Sequence, residues 1–121
     1  MKLYLAGPMR GYPAFNFPAF HAAAASLRED GHEIFSPADN DIDKQGGKDF
    51  SSDYKTGDED ALAAATAWTI RKALADDTAW ICAHAEGIVM LPGWEASKGA
   101  TAERALTIAL NLPVFLYGVD I

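Results

Sequence analysis

Leu3-Tyr4-Leu5-Ala6-Gly7-Pro8-Met9-Arg10-Gly11 and Leu91-Pro92-Gly93-Trp94-Glu95-Ala96-Ser97-Lys98-Gly99-Ala100-Thr101-Ala102-Glu103 share one layout. Each is a short apolar strand that runs into a glycine-containing loop and then a helix. Turns of this kind set backbone N–H groups and helix N-termini along one edge of a parallel sheet, where anions bind. The first loop carries a cation, Arg10. The second leads to a carboxylate, Glu103, which this reading puts in the first turn of its helix. An anion clamp beside a placed carboxylate suggests an enzyme acting on a phosphorylated small molecule.

Working outward, residues 2–6 read as a buried strand. Asn16 is expected to cap a helix with Pro18 in its first turn, where a missing N–H costs nothing. Phe20, Ala23, Ala24 and Leu27 fall at i, i+3, i+4 and i+7, an apolar stripe facing a sheet. Gly31 ends that helix, and residues 32–36 form a second strand stopped by Pro37. Residues 37–58 lack apolar periodicity and are expected to form a lid or an interface arm. Asp58, Glu59 and Asp60 favour a helix start through the dipole, and Asp76-Asp77 is expected to cap a second short helix. Residues 87–91 form another buried strand. Ala102, Ala105, Leu106, Ala109 and Leu110 then make a helical stripe, closed by Asn111 and Pro113 before a last strand at 114–116. The alternation predicts one Rossmann-like, flavodoxin-like α/β domain over residues 1–121, with a parallel sheet and helices on both faces.

The composition narrows the partners. A chain of 121 residues makes one domain, and at 50% hydrophobic it can fill a core. A net charge of −7 argues against a nucleic-acid polymer, which requires a basic stripe, but leaves room for a mononucleotide in a local positive pocket. No apolar run reaches the roughly 18 residues that span a bilayer. The first strand breaks at Gly7, too early for a signal peptide's apolar region, so a cytoplasmic protein without a membrane partner is expected. The lone Cys82 forms no intrachain disulfide, and its apolar helical context predicts a buried structural thiol. His21, His32 and His84 show no metal spacing, and neither a phosphate-binding P-loop nor a nucleophile elbow is present.

Several side chains have two readings each. Arg10 could pair bidentately with a phosphate while Gly11 allows close backbone approach, or it is a surface arginine in a turn. Glu103 lies four residues after Gly99, on one helix face, with space above its carboxylate. Near a helix N-terminus the ionised form is favoured, which suits a nucleophile, although a glutamate complementing the dipole is common. Ser97 reads as an N-cap, a phosphate-binding hydroxyl, or both. Asp77 either orients Glu103 or holds a sugar hydroxyl, or caps a helix. Trp94 either stacks on a base or plugs the loop.

Taken together, Tyr4-x-x-Gly7-x-x-Arg10-Gly11, Asp77-x-x-Trp80 and Ser97-x-Gly99-x-x-x-Glu103 resemble the signature of the nucleoside 2-deoxyribosyltransferase superfamily, near the 2'-deoxynucleoside 5'-phosphate N-hydrolases. The 91–100 phrase also resembles a small phage and prophage group of that superfamily. The resemblance implies that Glu103 is the nucleophile, forming a glycosyl-enzyme ester as in retaining glycosidases. It implies that Asp77 assists, that Tyr4 sits by the sugar or the nucleophile, and that Arg10, Gly11 and Ser97 serve the phosphate. Gly7, Gly99 and Trp94 complete the expected site. The expected reaction is hydrolysis of the N-glycosidic bond of a (2'-deoxy)nucleoside 5'-monophosphate without a metal or organic cofactor, by a homodimer or larger homo-oligomer. A deoxyribosyltransferase and a non-catalytic nucleotide-binding protein are the alternatives. One departure is Pro8, where the hydrolases usually have Ser or Thr; proline removes a hydroxyl and an N–H from the phosphate cradle.

Overall fold

The computed structural model describes residues 1–66 and 68–121. Strands β1 (Lys2–Ala6), β2 (Glu33–Phe35), β3 (Gly87–Met90) and β4 (Val114–Leu116) form one parallel sheet in the order β2-β1-β3-β4. The helices among the described residues are α1 (Phe17–Glu29), α2 (Pro37–Lys44), α3 (Glu59–Ala65), α4 (Ile70–His84) and α5 (Lys98–Ala109). This is the Rossmann-like three-layer arrangement that the strand-and-helix alternation predicts.

The apolar run of β1 is explained by burial on both faces. Leu3 and Leu5 point to one face, where they meet Val89, Leu91 and the stripe Phe20, Ala23, Ala24 and Leu27 of α1. Tyr4 and Ala6 point to the other and meet Ile88, Met90, Ile81 of α4 and Ala100 of α5. Each fully buried aliphatic side chain contributes about 1.5–3 kcal/mol, so the two central strands fix the fold. From β1 the chain crosses to β2 on one side and later returns to β3 on the other. The loops leaving β1 and β3 therefore diverge and open a crevice at the carboxyl end of the sheet.

Four local expectations are corrected. Residues 37–58 are not a structureless arm, because α2 begins directly after the strand-2 exit. Its Asp and Asn content hides the helix, whereas Pro37 at its first position is the signal that marks it. The remainder packs on its own chain: Phe50 sits edge-on to Phe17 at 5.6 Å, Tyr54 lies 5.4 Å from Phe15, and the Ala14 N–H donates to the Tyr54 carbonyl at 3.0 Å. Second, Asp76-Asp77 caps nothing. Helix α4 runs unbroken through both residues from Thr69, whose side chain accepts from the Lys72 N–H, so Asp77 sits mid-helix. Third, Asn16 has a left-handed φ of 61° and makes no side-chain cap; its amide donates to the Pro8 carbonyl at 3.0 Å and so braces the β1 loop. A helix does start at the acidic run as expected, and Asp58 caps it, its side chain accepting from the N–H groups of Asp60 and Ala61. Fourth, Cys82 is exposed rather than buried, on the outer side of α4. Among the described residues no helix is long and apolar enough to cross a membrane.

Candidate active site

The crevice deepens into a cavity of about 500 Å3, within the roughly 300–1,000 Å3 typical of small-molecule sites. Strand β1 supplies its floor. Tyr4 is fully buried, with its ring 5.6 Å from that of Phe35 and 6.5 Å from that of Trp80. Its hydroxyl donates a short hydrogen bond to Glu103 Oε2.

Glu103 comes from the second turn of α5, one turn deeper than the sequence suggests. Ser97 starts that helix by accepting the Ala100 N–H at 3.2 Å, so the cap reading of Ser97 is correct, and the residue also lines the cavity. A Cβ at Gly99 would meet nothing within 4 Å, which leaves the expected space at the helix entrance. Gly7 has a packing role as well as a place in the lining: a Cβ there would come 2.7 Å from Leu91 Cβ.

Asp77 from α4 and Asp41 from α2 join Glu103 around the same cavity. All three are nearly out of water, at 5%, 6% and 5% exposure for Asp77, Asp41 and Glu103. Among the described residues no ion pair to a cation neutralises them. Burial, and then the negative charge of Asp77, push the Glu103 carboxyl well above its ordinary range, while the Tyr4 hydroxyl pulls it back. Burial, then Asp41, push Asp77 up to about 7. Burial likewise raises Asp41 to about 7. The Tyr4 hydroxyl is raised well above its ordinary value, first by burial and then by Glu103, and so stays a donor. Desolvation here outweighs the helix N-terminus that was expected to keep Glu103 ionised. Like charges this close cannot all ionise, so at neutral pH the cluster retains protons.

The hydrogen bonds indicate where charge and proton sit in the Glu103–Asp77 pair. Glu103 receives the Tyr4 O–H, which stabilises a carboxylate. Asp77 Oδ1 is buried with no hydrogen-bond partner, but contacts with the Tyr4 hydroxyl and the Glu103 carboxyl lower Asp77, and the same Asp77 contact raises Glu103, so the resting pair shares its proton toward Glu103. One carboxylate and one carboxylic acid sharing a proton make a pair suited to nucleophilic and acid–base chemistry.

Of the expected site residues, the fold brings Tyr4, Gly7, Arg10, Asp77, Ser97, Gly99 and Glu103 onto one cavity. Two others are elsewhere. The Gly11 N–H is spent on the Gly57 carbonyl at 2.9 Å. That junction is tight because Gly57 has a φ of 66° and a Cβ there would lie 2.2 Å from the Tyr12 carbonyl oxygen. Trp94 lies outside the cavity lining, with the Arg104 guanidinium 4.9 Å over its ring. Arg10 reaches the cavity mouth, but its side chain is 64% exposed and ion-paired with Glu59 of α3. It is a tethered cation at the rim, not a buried clamp. Sequence reading missed Asp41, Glu59 and Trp68. Asp41 was hidden in a polar stretch that lacks visible helical periodicity, and Glu59 was read only as a residue complementing the helix dipole.

The site defines an α/β protein with a carboxylate pair at the switch point of its sheet. By sequence the chain belongs to the family described as "Domain of unknown function (DUF4406)", which matches residues 1–116. No curated protein and no solved structure matches it.

Proposed function

We propose that the protein cleaves the N-glycosidic bond of a nucleoside 5'-monophosphate, with a 2'-deoxy sugar preferred. The observation that carries this reading is the Tyr4-to-Glu103 hydrogen bond with the Asp77 carboxyl buried beside it, at the bottom of a nucleotide-sized cavity.

In this mechanism a Glu103 carboxylate oxygen attacks the anomeric carbon as the bond to the base nitrogen breaks. The proton that the pair shares, carried by Asp77 in the reactive state with Glu103 ionised, passes to the departing base. The Asp77 carboxylate then takes a proton from water, whose oxygen attacks the glycosyl ester, releasing the sugar phosphate and restoring Glu103. Tyr4 holds the Glu103 charge and orients the attacking oxygen. The phosphate is received by the α5 N-terminus at Ser97 and Gly99 and by Arg10, once Arg10 exchanges Glu59 for the ligand.

The Arg10–Glu59 pair favours a second reading on the same chemistry. A site whose rim cation is already neutralised suits an unphosphorylated nucleoside, with a second base in place of water resolving the ester, as in a deoxyribosyltransferase. We also propose a homo-oligomer in the cytoplasm. The exposed Ile108, Leu110 and Leu116 on the α5 end and the edge strand β4 support assembly, and light scattering at micromolar concentration tests it.

Incubation with a panel of nucleotides and nucleosides separates the readings. Free base and sugar phosphate from a nucleotide support the hydrolase. Base exchange that needs an added acceptor supports the transferase. Tight binding without turnover makes the protein a binder and refutes both.

A further inference from the structure

The Asp41 carboxyl plays no part in the mechanism above, yet it lines the cavity at 6% exposure. Among the described residues, no protein group completes a hydrogen bond to it. The indole Nε1 of Trp68, another lining residue, is itself buried and without a partner, and its N–H acts on the Asp41 carboxyl without closing the bond. A buried indole N–H without a closed hydrogen bond and a carboxyl at 6% exposure thus face the same cavity. Leaving a buried N–H so is costly, and a ligand acceptor in the cavity would complete it. The surrounding lining includes the apolar Phe17, Phe50 and Leu62, against which a heterocycle can pack. The negative charge of Asp41 raises both Asp77 and Glu103, so it acts on the reacting pair without being part of it.

We propose that Asp41 and Trp68 read the base of the nucleotide, and that they select the edge of guanine. This selectivity rests on the nucleotide reading of the site. A carboxylate offers only acceptors, and its two oxygens match two adjacent N–H donors. Guanine presents N1–H and the N2 amino group side by side, followed by the O6 acceptor, which suits the Trp68 N–H. Adenine and cytosine put a bare ring nitrogen beside their amino group, which the carboxylate repels. Uracil and thymine flank one N–H with two carbonyls. Hypoxanthine keeps N1–H and O6 but lacks the amino group.

Calorimetric titration of the wild-type protein at pH 8 with dGMP, dIMP, dAMP and dCMP tests the selection. The guanine nucleotide is expected to bind about ten- to a hundredfold more tightly than dIMP, the discrimination of one bidentate contact, and more tightly still than dAMP or dCMP. Asp41→Asn turns one acceptor into a donor. It is expected to lose that preference and to favour 2'-deoxyxanthosine 5'-monophosphate, whose carbonyl replaces the amino group of guanine. A gain for the xanthine ligand cannot come from a merely damaged fold. Equal binding of the four nucleotides, a preference for dAMP or dCMP, or an unchanged preference in Asp41→Asn overturns the proposal. Base release from all four nucleotides with no preference refutes the role of Asp41 and leaves the hydrolase standing. A guanine preference without base release does the reverse. No binding of any nucleotide overturns both.

Discussion

Tyr4→Phe removes a single oxygen and leaves the packing intact, because the ring contacts with Phe35 and Trp80 do not involve the hydroxyl. What is lost is the donor to Glu103 Oε2. A hydrogen bond to a charged group contributes about 1.5–3 kcal/mol. Glu103 is nearly fully buried, so solvent does not replace the missing donor. All of that loss falls on the ionised form, at about 1.4 kcal/mol per pH unit, so the Glu103 carboxyl should titrate about 1–2 pH units higher. Nucleophilic attack needs the carboxylate. The acid limb of the rate profile should therefore move up by the same amount, and turnover on that limb should fall about ten- to a hundredfold. The assay is base release between pH 5 and 9 for both proteins, with nucleotide affinity measured separately and expected to change little. An acid limb at the same pH in the variant would refute the idea that Tyr4 sets the charge on Glu103.

Other expectations follow from the same geometry. Glu103→Gln should lower turnover by several orders of magnitude while nucleotide binding survives, and near-wild-type turnover would remove Glu103 from the mechanism. Arg10→Ala should weaken nucleotides more than nucleosides, by about 1–2 kcal/mol, since an exposed ion pair must first be broken; Glu59→Gln, which frees Arg10, should tighten nucleotides, and competition binding reads both. Stability should fall as pH rises from 5 to 8. Asp41 and Asp77 have folded pKa values of about 7, raised from 3.8, so their stabilisation is complete below about 4 and is lost on approach to 7. Each contributes at most about 2.7 kcal/mol to the loss between pH 5 and 8, two pH units at about 1.36 kcal/mol each, and Asp41→Asn should flatten the dependence in urea titrations; a protein more stable at pH 8 than at pH 5 would contradict this. Gly99→Ala fills open space at the start of α5, so it should stabilise the fold by up to about 1 kcal/mol while weakening nucleotide binding, as thermal melting and titration would show together.

The parts of the molecule that could be read from sequence are those in which local pattern and tertiary burial agree. Strands β1 and β3 are apolar on both faces because both faces are covered, so Leu3–Ala6 and Ile88–Leu91 signal a central parallel pair without ambiguity. Pattern failed where a residue's role depends on partners distant in sequence. Asp77 resembles a cap because two adjacent aspartates favour helix starts, yet Thr69 begins the helix earlier and buries Asp77 against Tyr4 and Glu103. Asp41 sits in a run of Asp and Asn that reads as loop; its burial comes from α2 packing beside α1 and α4, which no local signal carries. Glu103 was placed near the right atoms but with the wrong electrostatics, because the helix dipole is visible in sequence and desolvation is not.

The most direct measurement is mass spectrometry of the protein quenched during reaction with a 2'-fluoro-2'-deoxynucleoside 5'-monophosphate, whose electron-withdrawing fluorine slows hydrolysis of a glycosyl ester. The account predicts a mass increase of one fluorodeoxyribosyl phosphate, confined to the peptide that holds Glu103 and missing from Glu103→Gln. Base release without any covalent adduct, or an adduct on another residue, would contradict it.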